Sequence, residues 1–278
     1  MTTVSRRDVY HAVEALGIQR GDIVLLHSSF KSMGYVEGGA ESVIGGFLDA
    51  IGSEGTLVLP TFCQKNFSKA YETWHMDKES DTGYLTNYFR KRDGSLRSDQ
   101  ATHSVAACGK LASYLTETHG KTHKRFGNFG DTPFAGDSPW EKMYKLDAKI
   151  VLLGVDGMKI TFRHYAEYLY IEECLKSIES KAEYQSMKEK LWQYEKPGVW
   201  PHVYNPWVME QLEKVNLVAH SRCGDAELLC ISAKSFVDFV LTNLRNKNRD
   251  ILWRHAQKCW DTDAYIKWEE ELEALQEG

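Results

Sequence analysis

Apolar and polar positions follow two different periods along the chain. Short apolar runs cover residues 23–27, 56–60 and 149–155, and each has the length of a buried strand. Residues 40–50, between the first two runs, have the spacing of a helix. Two strands joined through a helix form a βαβ unit with parallel strands. Residues 220–231 have the pattern of an antiparallel pair. The pattern therefore predicts an α/β protein with a central mixed, partly parallel sheet flanked by helices.

The rest of the chain is mostly helical in pattern, with one irregular region. Helices are predicted at 9–16, 83–92, 110–118, 140–146, 168–190, 208–217 and 233–244, and the acidic tail beyond 261 predicts a surface helix. Residues 191–207 contain many aromatic residues and prolines, so we interpret them as strand and loop over one end of a pocket. We expect a single domain over 1–278, in which residues 168–207 form the acceptor-site subregion.

Composition narrows the class of protein. The net charge of -5 over 278 residues leaves no basic stripe for a nucleic acid. Six cysteines without a Cys-x-x-Cys pair indicate reduced thiols, and hence a cytoplasmic protein. The first residues lack the apolar stretch of a signal peptide, and no apolar run approaches a membrane span. We therefore expect no nucleic-acid or membrane partner.

The segment after the first apolar run, which ends at His27, has the composition of an anion site. Ser28, Ser29 and Ser32 supply hydroxyl groups, Lys31 supplies a positive charge, and the segment closes with Met33 and Gly34. A loop of this kind between a strand and a helix N-terminus is suited to holding phosphate. The alternative is an ordinary strand–loop–helix connection, since the segment matches neither a Walker A nor a G-x-G-x-x-G pattern.

A second polar segment runs into small residues at His103-Ser104-Val105-Ala-Ala-Cys-Gly109. Small side chains let the backbone approach a ligand closely, and His103 and Ser104 are candidates to face that ligand. The alternative is tight packing around a structural histidine.

The third motif follows the apolar run at 149–155 and contains a histidine–carboxylate pair. Thr161 can cap a helix in which His164 and Glu167 lie three residues apart on one face. A carboxylate that orients an imidazole and stabilises its protonated form is the arrangement a general base needs. Asp156 is either a second orienting carboxylate or a turn residue. The alternative for the pair is a solvated surface contact.

These motifs together resemble the aminoglycoside 3-N-acetyltransferases. The resemblance covers roughly residues 1–170, with weaker similarity at 233–244. It rests on blocks that occur in family order: Arg20-Gly-Asp-Ile-Val-Leu-Leu-His-Ser-Ser-Phe-Lys-Ser-Met-Gly34, Gly38-Gly39, Gly55-Thr-Leu-Val-Leu-Pro-Thr61, His103-Ser-Val-Ala-Ala-Cys-Gly109, Ser138-Pro139, Val151-Leu-Leu-Gly154 and Thr161-Phe-Arg-His-Tyr-Ala-Glu167.

The resemblance implies an antibiotic N-acetyltransferase-like fold, unlike that of the GNAT acetyltransferases, and acetyl-CoA as the donor in a sequential transfer to a primary amine. It implies that His164 is the catalytic base beside Glu167. It assigns 28–34, with His27, to the CoA phosphate loop. It assigns His103, Ser104 and Val105 to the pantetheine and acetyl site, where a backbone N–H near Ser104 and the Ser104 hydroxyl would face the thioester oxygen. No metal ligand is implied.

The sequence also departs from the antibiotic-modifying members. Some of these have His-Pro where this chain has His103-Ser104, and a second histidine where it has Tyr165. The region 168–207 contains several lysines, whereas a polycationic antibiotic calls for carboxylates. The acceptor therefore stays open among an aminoglycoside linked to antibiotic resistance, a nucleotide-linked amino sugar, an aminophosphonate and another small amine, and a homodimer is compatible with the sequence.

Two other functions remain as alternatives at this point. One is a CoA-binding module that has lost catalysis. The other is a metal-dependent hydrolase that uses His27, His103 and His164 with carboxylates, although the chain lacks an H-E-x-x-H spacing.

Overall fold

The computed structural model describes residues 3–125, 129–176, 180–192 and 200–253. Its strands are β1 Thr3–Val4, β2 Ile23–Ser28, β3 Tyr35–Val36, β4 Thr56–Pro60, β5 Leu96–Arg97, β6 Val105–Gly109, β7 Lys149–Leu153, β8 Ala219–Cys223 and β9 Ala226–Ser232. Its helices are α1 Arg6–Ala15, α2 Gly39–Ile51, α3 Tyr84–Phe89, α4 Ala112–Thr116, α5 Pro139–Lys145, α6 Phe162–Lys176, α7 Lys181–Trp192, α8 Asn205–Lys214 and α9 Ala233–Arg245.

A mixed sheet runs through the centre of the molecule. Its strand order is β5-β6-β4-β2-β7-β9-β8. The strand β2 pairs in parallel with both β4 and β7. The remaining pairs of this sheet are antiparallel, including the hairpin of β8 and β9. The predicted mixed, partly parallel sheet, its βαβ unit and its terminal hairpin are therefore confirmed.

Helices cover both faces of the sheet because the central strands are buried on both sides. Along β2, Leu25 faces one apolar cluster while Val24 and Leu26 face the other. Helices α5, α6 and α9 pack into the first cluster, and α1 and α2 pack into the second. Within the described residues, no helix is both long enough and apolar enough to cross a membrane.

Helix starts follow the capping residues in the sequence. Ser5 and Asp8 form a capping box at the start of α1. The Ser138 hydroxyl accepts a hydrogen bond from the Glu141 N–H, and Pro139 takes the first helical position of α5. The sequence predicts helices at 9–16 and 140–146, and both are confirmed, as α1 and α5.

The structure corrects four predictions of local structure. The small residues 105–109 form the strand β6, which lies antiparallel to β4. The helical pattern at 83–92 predicts Leu85, Tyr88 and Phe89 on the inner face of α3; Leu85 and Phe89 are buried, but Tyr88 is exposed. The helical pattern at 168–190 is divided between α6 and α7. Residues 191–207 were predicted as strand and loop, but α7 continues to Trp192 and α8 already begins at Asn205. Residues 193–199 and the predicted helix beyond 261 lie outside the described residues.

Candidate active site

A cleft of about 370 Å³ opens where the parallel strands end. The carboxyl ends of parallel strands meet at one edge of a sheet, which is where open α/β sheets place their ligands. His27 and Ser28 come from the end of β2, Pro60 from the end of β4, and Val155 follows β7. His103, Arg163 and His164 also line the cleft. The sequence segments singled out above therefore converge on one cleft.

The connection from β7 to α6 determines where α6 begins and so positions His164. The Asp156 carboxylate caps a short 3-10 turn at Gly157–Lys159 by accepting a hydrogen bond from the Met158 N–H (3.0 Å). The buried Asn205 side chain donates to the carbonyl oxygens of Gly157 and Ile160 (2.8 and 3.1 Å). This fixed connection lets α6 begin at Phe162, with His164 in its first turn.

The Glu167 carboxylate holds the His164 ring. His164 Nδ1 lies 2.8 Å from Glu167 Oε2, and the Glu167 side chain is 0% exposed. Two further donors reach this carboxylate: Trp200 Nε1–H bonds Oε2 and the Val203 N–H bonds Oε1, each at 2.8 Å. A carboxylate with donors on both oxygens has its rotamer fixed, and it fixes the imidazole in turn.

Arg163 determines which ring nitrogen of His164 has the proton. Arg163 Nε donates toward His164 Nε2 at 3.3 Å, so Nε2 accepts and Nδ1–H donates to Glu167. Burial, and then the Arg163 charge, holds the pKa of His164 well below its ordinary value. Burial also raises the pKa of Glu167, although the donors from Trp200 and Val203 oppose this. His164 is therefore a neutral imidazole with its lone pair at Nε2.

Aromatic rings form the wall behind this imidazole. The Phe129 ring centroid lies 4.8 Å from that of His164, and the centroids of Phe134 and His103 each lie 6.3 Å away. Apolar walls lower the local dielectric, which strengthens each electrostatic contact inside the cleft.

His103 also lines the cleft, and a polar network fixes its ring. Its Nδ1 lies 2.8 Å from Thr102 Oγ1, and its Nε2 lies 3.3 Å from the Gln64 side-chain nitrogen. The Gln100 side-chain oxygen accepts from the backbone N–H groups of Thr102 and His103 (2.8 and 2.6 Å). Burial, together with the nearby His164, lowers the pKa of His103 well below its ordinary value. His103 is therefore a neutral, oriented wall residue.

The geometry removes Ser104 and Val105 from the predicted contact with an acetyl group. The Ser104 hydroxyl is fully buried and donates to the Thr61 carbonyl oxygen at 2.9 Å. The Val105 side chain lies in the core, and its N–H donates to the Ser98 hydroxyl at 3.0 Å. Both residues therefore connect strand β6 with neighbouring parts of the chain. The run of small residues seen in the sequence belongs to this buried strand.

The segment 28–34 begins at the cleft with Ser28, and its members face different ways. Ser28 lines the cleft, and Lys31 is exposed. Ser32 donates its hydroxyl to the Ser29 carbonyl oxygen at 2.6 Å. Met33 is buried in the core and is no ligand candidate.

Two glycines let this segment turn and pack. Gly34 ends the turn at φ 82°. Gly154 has φ 60°, and the Ser32 hydroxyl occupies the space that a side chain at residue 154 would need.

Asp156 is not the carboxylate that orients His164. It is exposed, caps the 3-10 turn, and lines a separate surface pocket with Glu210, Glu213 and Glu227. Of the two functions considered from the sequence, the turn residue is the one observed.

The structure adds site residues that the sequence motifs did not assign. Arg163 lies inside the focal motif, and its position next to His164 was the available signal. Trp200 and Val203 lie 33 and 36 residues beyond Glu167 and carried no signal of that contact. Gln64, Asp81 and Lys159 also line the cleft. In the part of the chain that the structure describes, no group of three or more His, Cys, Asp or Glu side chains is arranged to hold a metal ion.

The family model described as aminoglycoside 3-N-acetyltransferase matches residues 25–245. The chain belongs to this family. Among curated relatives, aminoglycoside N(3)-acetyltransferase VII of Streptomyces paromomycinus is 30% identical over 186 residues, which cover 60% of this chain and 61% of that protein. The YokD protein of Bacillus subtilis, described as aminoglycoside N(3')-acetyltransferase-like, is 30% identical over 185 residues, covering 59% and 65%. The chain thus spans about three fifths of the length of the curated relatives it matches.

Solved structures of the family share the fold. The structure of AAC-IIIb with CoASH has a TM-score of 0.69 at 16% identity and covers 88% of this chain and 98% of that one. The apoenzyme of aminoglycoside acetyltransferase AAC(3)-IVa has a TM-score of 0.69 at 19% identity, with coverages of 96% and 98%. The predicted family and the predicted fold class are therefore confirmed.

Proposed function

We propose that this chain transfers the acetyl group of acetyl-CoA to a primary amine of an aminoglycoside or another amino sugar, and that residues 1–278 form one acetyltransferase domain. The observation that carries the proposal is the His164–Glu167 pair at 2.8 Å in the cleft at the strand ends. The matched relatives support it, since they are named aminoglycoside N(3)-acetyltransferases.

His164 supplies the base that such a transfer requires. An alkylammonium has a pKa of about 10 and must lose a proton before it is a nucleophile. The neutral His164 ring takes that proton at Nε2, and Glu167 stabilises the resulting imidazolium through Nδ1–H. As the new C–N bond forms and the C–S bond breaks, the proton on Nε2 passes to the departing sulfur. The acylated nitrogen then loses its second proton to solvent, so the products are the N-acetyl amine, the free thiol of CoA and one proton.

Ser28, which lines the cleft, and the residues that follow it fit a CoA donor. Acetyl-CoA supplies an acetyl group activated as a thioester and carries phosphates at its other end. The donor set of Ser28, Ser29 and exposed Lys31 matches phosphate chemistry, although the Ser32 hydroxyl already donates within the turn. His103 lies beside His164 in the same cleft, with ring centroids 6.3 Å apart, where the thioester end would reach.

Partners and location are part of the same proposal. The enzyme would bind CoA and a small amine, with a homodimer as a further expectation. Among the described residues, Cys63, Cys108, Cys223 and Cys230 are free thiols, which supports a cytoplasmic location.

The test measures thiol release from acetyl-CoA with a panel of aminoglycosides and simple amino sugars. We expect turnover with at least one amine, and a loss of about 10²- to 10⁴-fold for His164→Ala because general-base catalysis is removed. The Kd for CoA should be unchanged. The matched control is His11→Ala, which removes an exposed histidine that also precedes a glutamate by three residues.

The outcomes separate the candidate functions. Near-normal turnover of His164→Ala would mean that another group is the base. CoA binding without thiol release for any amine in the wild-type protein would favour the binding module. Dependence of turnover on an added divalent metal would favour a hydrolase-like site.

A further inference from the structure

The charge lining the cleft differs from what a polycationic acceptor needs. Two cations, Lys159 and Arg163, line it together with a single carboxylate, Asp81, among the described residues. Asp81 is already engaged, because its Oδ2 accepts the N–H groups of Gln64 and Lys65 at 2.5 and 2.7 Å. An acceptor with several ammonium groups would therefore meet uncompensated positive charge.

Arg163 is the cation of the cleft that contacts His164, and it has hydrogen-bond donors left over. Its hydrogen bonds within the described residues are long: Nε donates to His164 Nε2 at 3.3 Å and one terminal nitrogen donates to the Val203 carbonyl oxygen at 3.4 Å. Within the described ranges no carboxylate lies at ion-pair distance from Arg163, although Glu167 is near enough to act on its charge. A largely buried guanidinium with no direct carboxylate partner has donors left for an anion.

A second observation points to a ligand at the same place. His27 is 5% exposed and lines the cleft, and its Nε2 is buried with no hydrogen-bond partner in the described structure. Lys159 is close enough to act electrostatically on this ring. Buried polar atoms are nearly always hydrogen-bonded in the functional state, so a ligand atom is the natural partner. The first turn of α6 lies at the same wall, and its dipole favours an anion.

We propose that the acceptor amine carries an anionic group, a phosphate or a carboxylate, that binds between Arg163, Lys159 and His27. This inference rests on the proposed acetyl transfer and specifies its acceptor. The anion forms a charge-assisted pair with Arg163 and draws the guanidinium away from His164 Nε2. Binding of the correct acceptor thereby frees the lone pair that takes the proton from the amine.

The phosphates of CoA do not explain Arg163. The whole pantetheine arm separates the thioester of acetyl-CoA from its phosphates. Arg163 contacts the nitrogen of His164 that must act next to the thioester. A group bound by Arg163 is therefore a neighbour of the reacting amine and belongs to the acceptor.

The test compares glucosamine with glucosamine 6-phosphate, which share the amine and differ in the phosphate. In the wild-type enzyme we expect kcat/KM to be about ten- to a hundredfold higher for the phosphorylated sugar, the range of a charge-assisted hydrogen bond. Arg163→Ala should bring this ratio close to one, and Arg163→Lys should restore part of it. The matched control is Arg7→Ala, since Arg7 Nε makes the same 3.3 Å contact with an exposed histidine, His11.

Three further measurements make the result decisive. The ratio is repeated with S-acetyl-pantetheine, which lacks the CoA phosphates, and it should persist. Calorimetry on the CoA complex measures binding of both sugars, so an enzyme without turnover still reports the anion preference, and circular dichroism verifies that each variant is folded. The inference is overturned by equal kcat/KM and equal binding of the two sugars in the wild-type enzyme, or by a preference that survives in Arg163→Ala. It is also overturned if Arg163→Ala lowers kcat/KM equally for both sugars, which would make Arg163 a stabiliser of the thioester oxygen. Absence of thiol release with every amine, alongside tight binding of the phosphorylated sugar, would overturn the acetyl transfer and leave the anion site supported.

Discussion

Two helices of this chain carry the same three side chains. On α1, Arg7 contacts the ring of His11, and His11 Nδ1 lies 3.3 Å from Glu14 Oε2. On α6, Arg163 contacts the ring of His164, and the corresponding distance to Glu167 is 2.8 Å. The histidine–glutamate spacing is identical, yet of the two histidines only His164 lines the cleft at the strand ends.

Burial separates the two pairs. The side chains of His11 and Glu14 are 56% and 47% exposed, whereas those of His164 and Glu167 are 13% and 0% exposed. Exposed pairs contribute between zero and about 1 kcal/mol, since water and neighbouring groups compete for them. The Glu167 carboxylate is shielded from water and takes donors from a distant segment. Helical spacing therefore brings the groups together, and tertiary structure decides whether they are held in one geometry.

The largest difference should appear when each glutamate is removed. Glu167→Ala leaves the donors of Trp200, Val203 and His164 buried without their acceptor, so we expect a loss of about 3 kcal/mol or more in the free energy of unfolding. Glu14→Ala should change it by less than about 0.5 kcal/mol. Urea unfolding of both variants measures the difference. Equal, small losses would show that water replaces the carboxylate without cost.

A second difference concerns the response of interior and surface histidines to acid. Burial lowers the pKa of His119 from its ordinary value of 6.5 to about 4. Between these values the unfolded chain binds more protons than the folded one, so stability falls as the pH drops through this window. Removing the histidine in His119→Asn should reduce the fall between pH 7 and pH 4.5 by roughly 2–3 kcal/mol.

The exposed His220 should affect stability with the opposite dependence on pH. The hydrogen bonds that His220 donates to the carboxylates of Glu213 and Glu227 raise the pKa of His220, so its contribution is present in acid and is lost as the pH rises through its folded pKa. His220→Asn should therefore not reduce the acid loss. Stability curves of the wild-type protein and both variants at several pH values test this, and a His119→Asn curve parallel to that of the wild type would contradict it.

The smallest expected effect isolates one donor to the catalytic carboxylate. Trp200→Phe removes the N–H that bonds Glu167 and keeps most of the packing against Tyr168, whose ring centroid lies 4.9 Å away. We expect a loss of about 1–2 kcal/mol in unfolding free energy and a several-fold decrease in kcat. Trp207→Phe, on α8, is the matched control for loss of the indole area. Similar effects of the two substitutions would mean that packing, not the hydrogen bond, explains the loss.

Much of the fold was predictable because its signals are local. The apolar runs that became β2, β4 and β7, and the caps at Ser5 and Ser138, require only neighbouring residues. The His164–Glu167 contact is likewise local. Strand β6 was missed because Ala106 and Ala107 are small residues in a buried strand, a pattern without a distinct period.

The rest of the site depends on contacts between distant parts of the chain. Ser104 was assigned to the ligand because its hydroxyl looked available, but Thr61, 43 residues away, accepts it. Met33 belonged to a polar motif and yet fills the core. Trp200 and Val203 could not be connected with Glu167 from spacing. Which polar groups are left for a ligand is decided only when all internal partners are assigned.

The segment with Trp200 and Val203, the two donors to Glu167, is held in place by residues beyond the end of the family match. Val203 pairs with Leu252 in a β-bridge, and the Trp253 N–H donates to the His202 carbonyl oxygen at 2.9 Å. The match to the family ends at residue 245. A shortened protein that stopped there would keep His164, Glu167 and every cleft residue, but it would lose the chain that fastens the carboxylate's donors. The family match therefore ends before the residues that hold the donors of Glu167 in place.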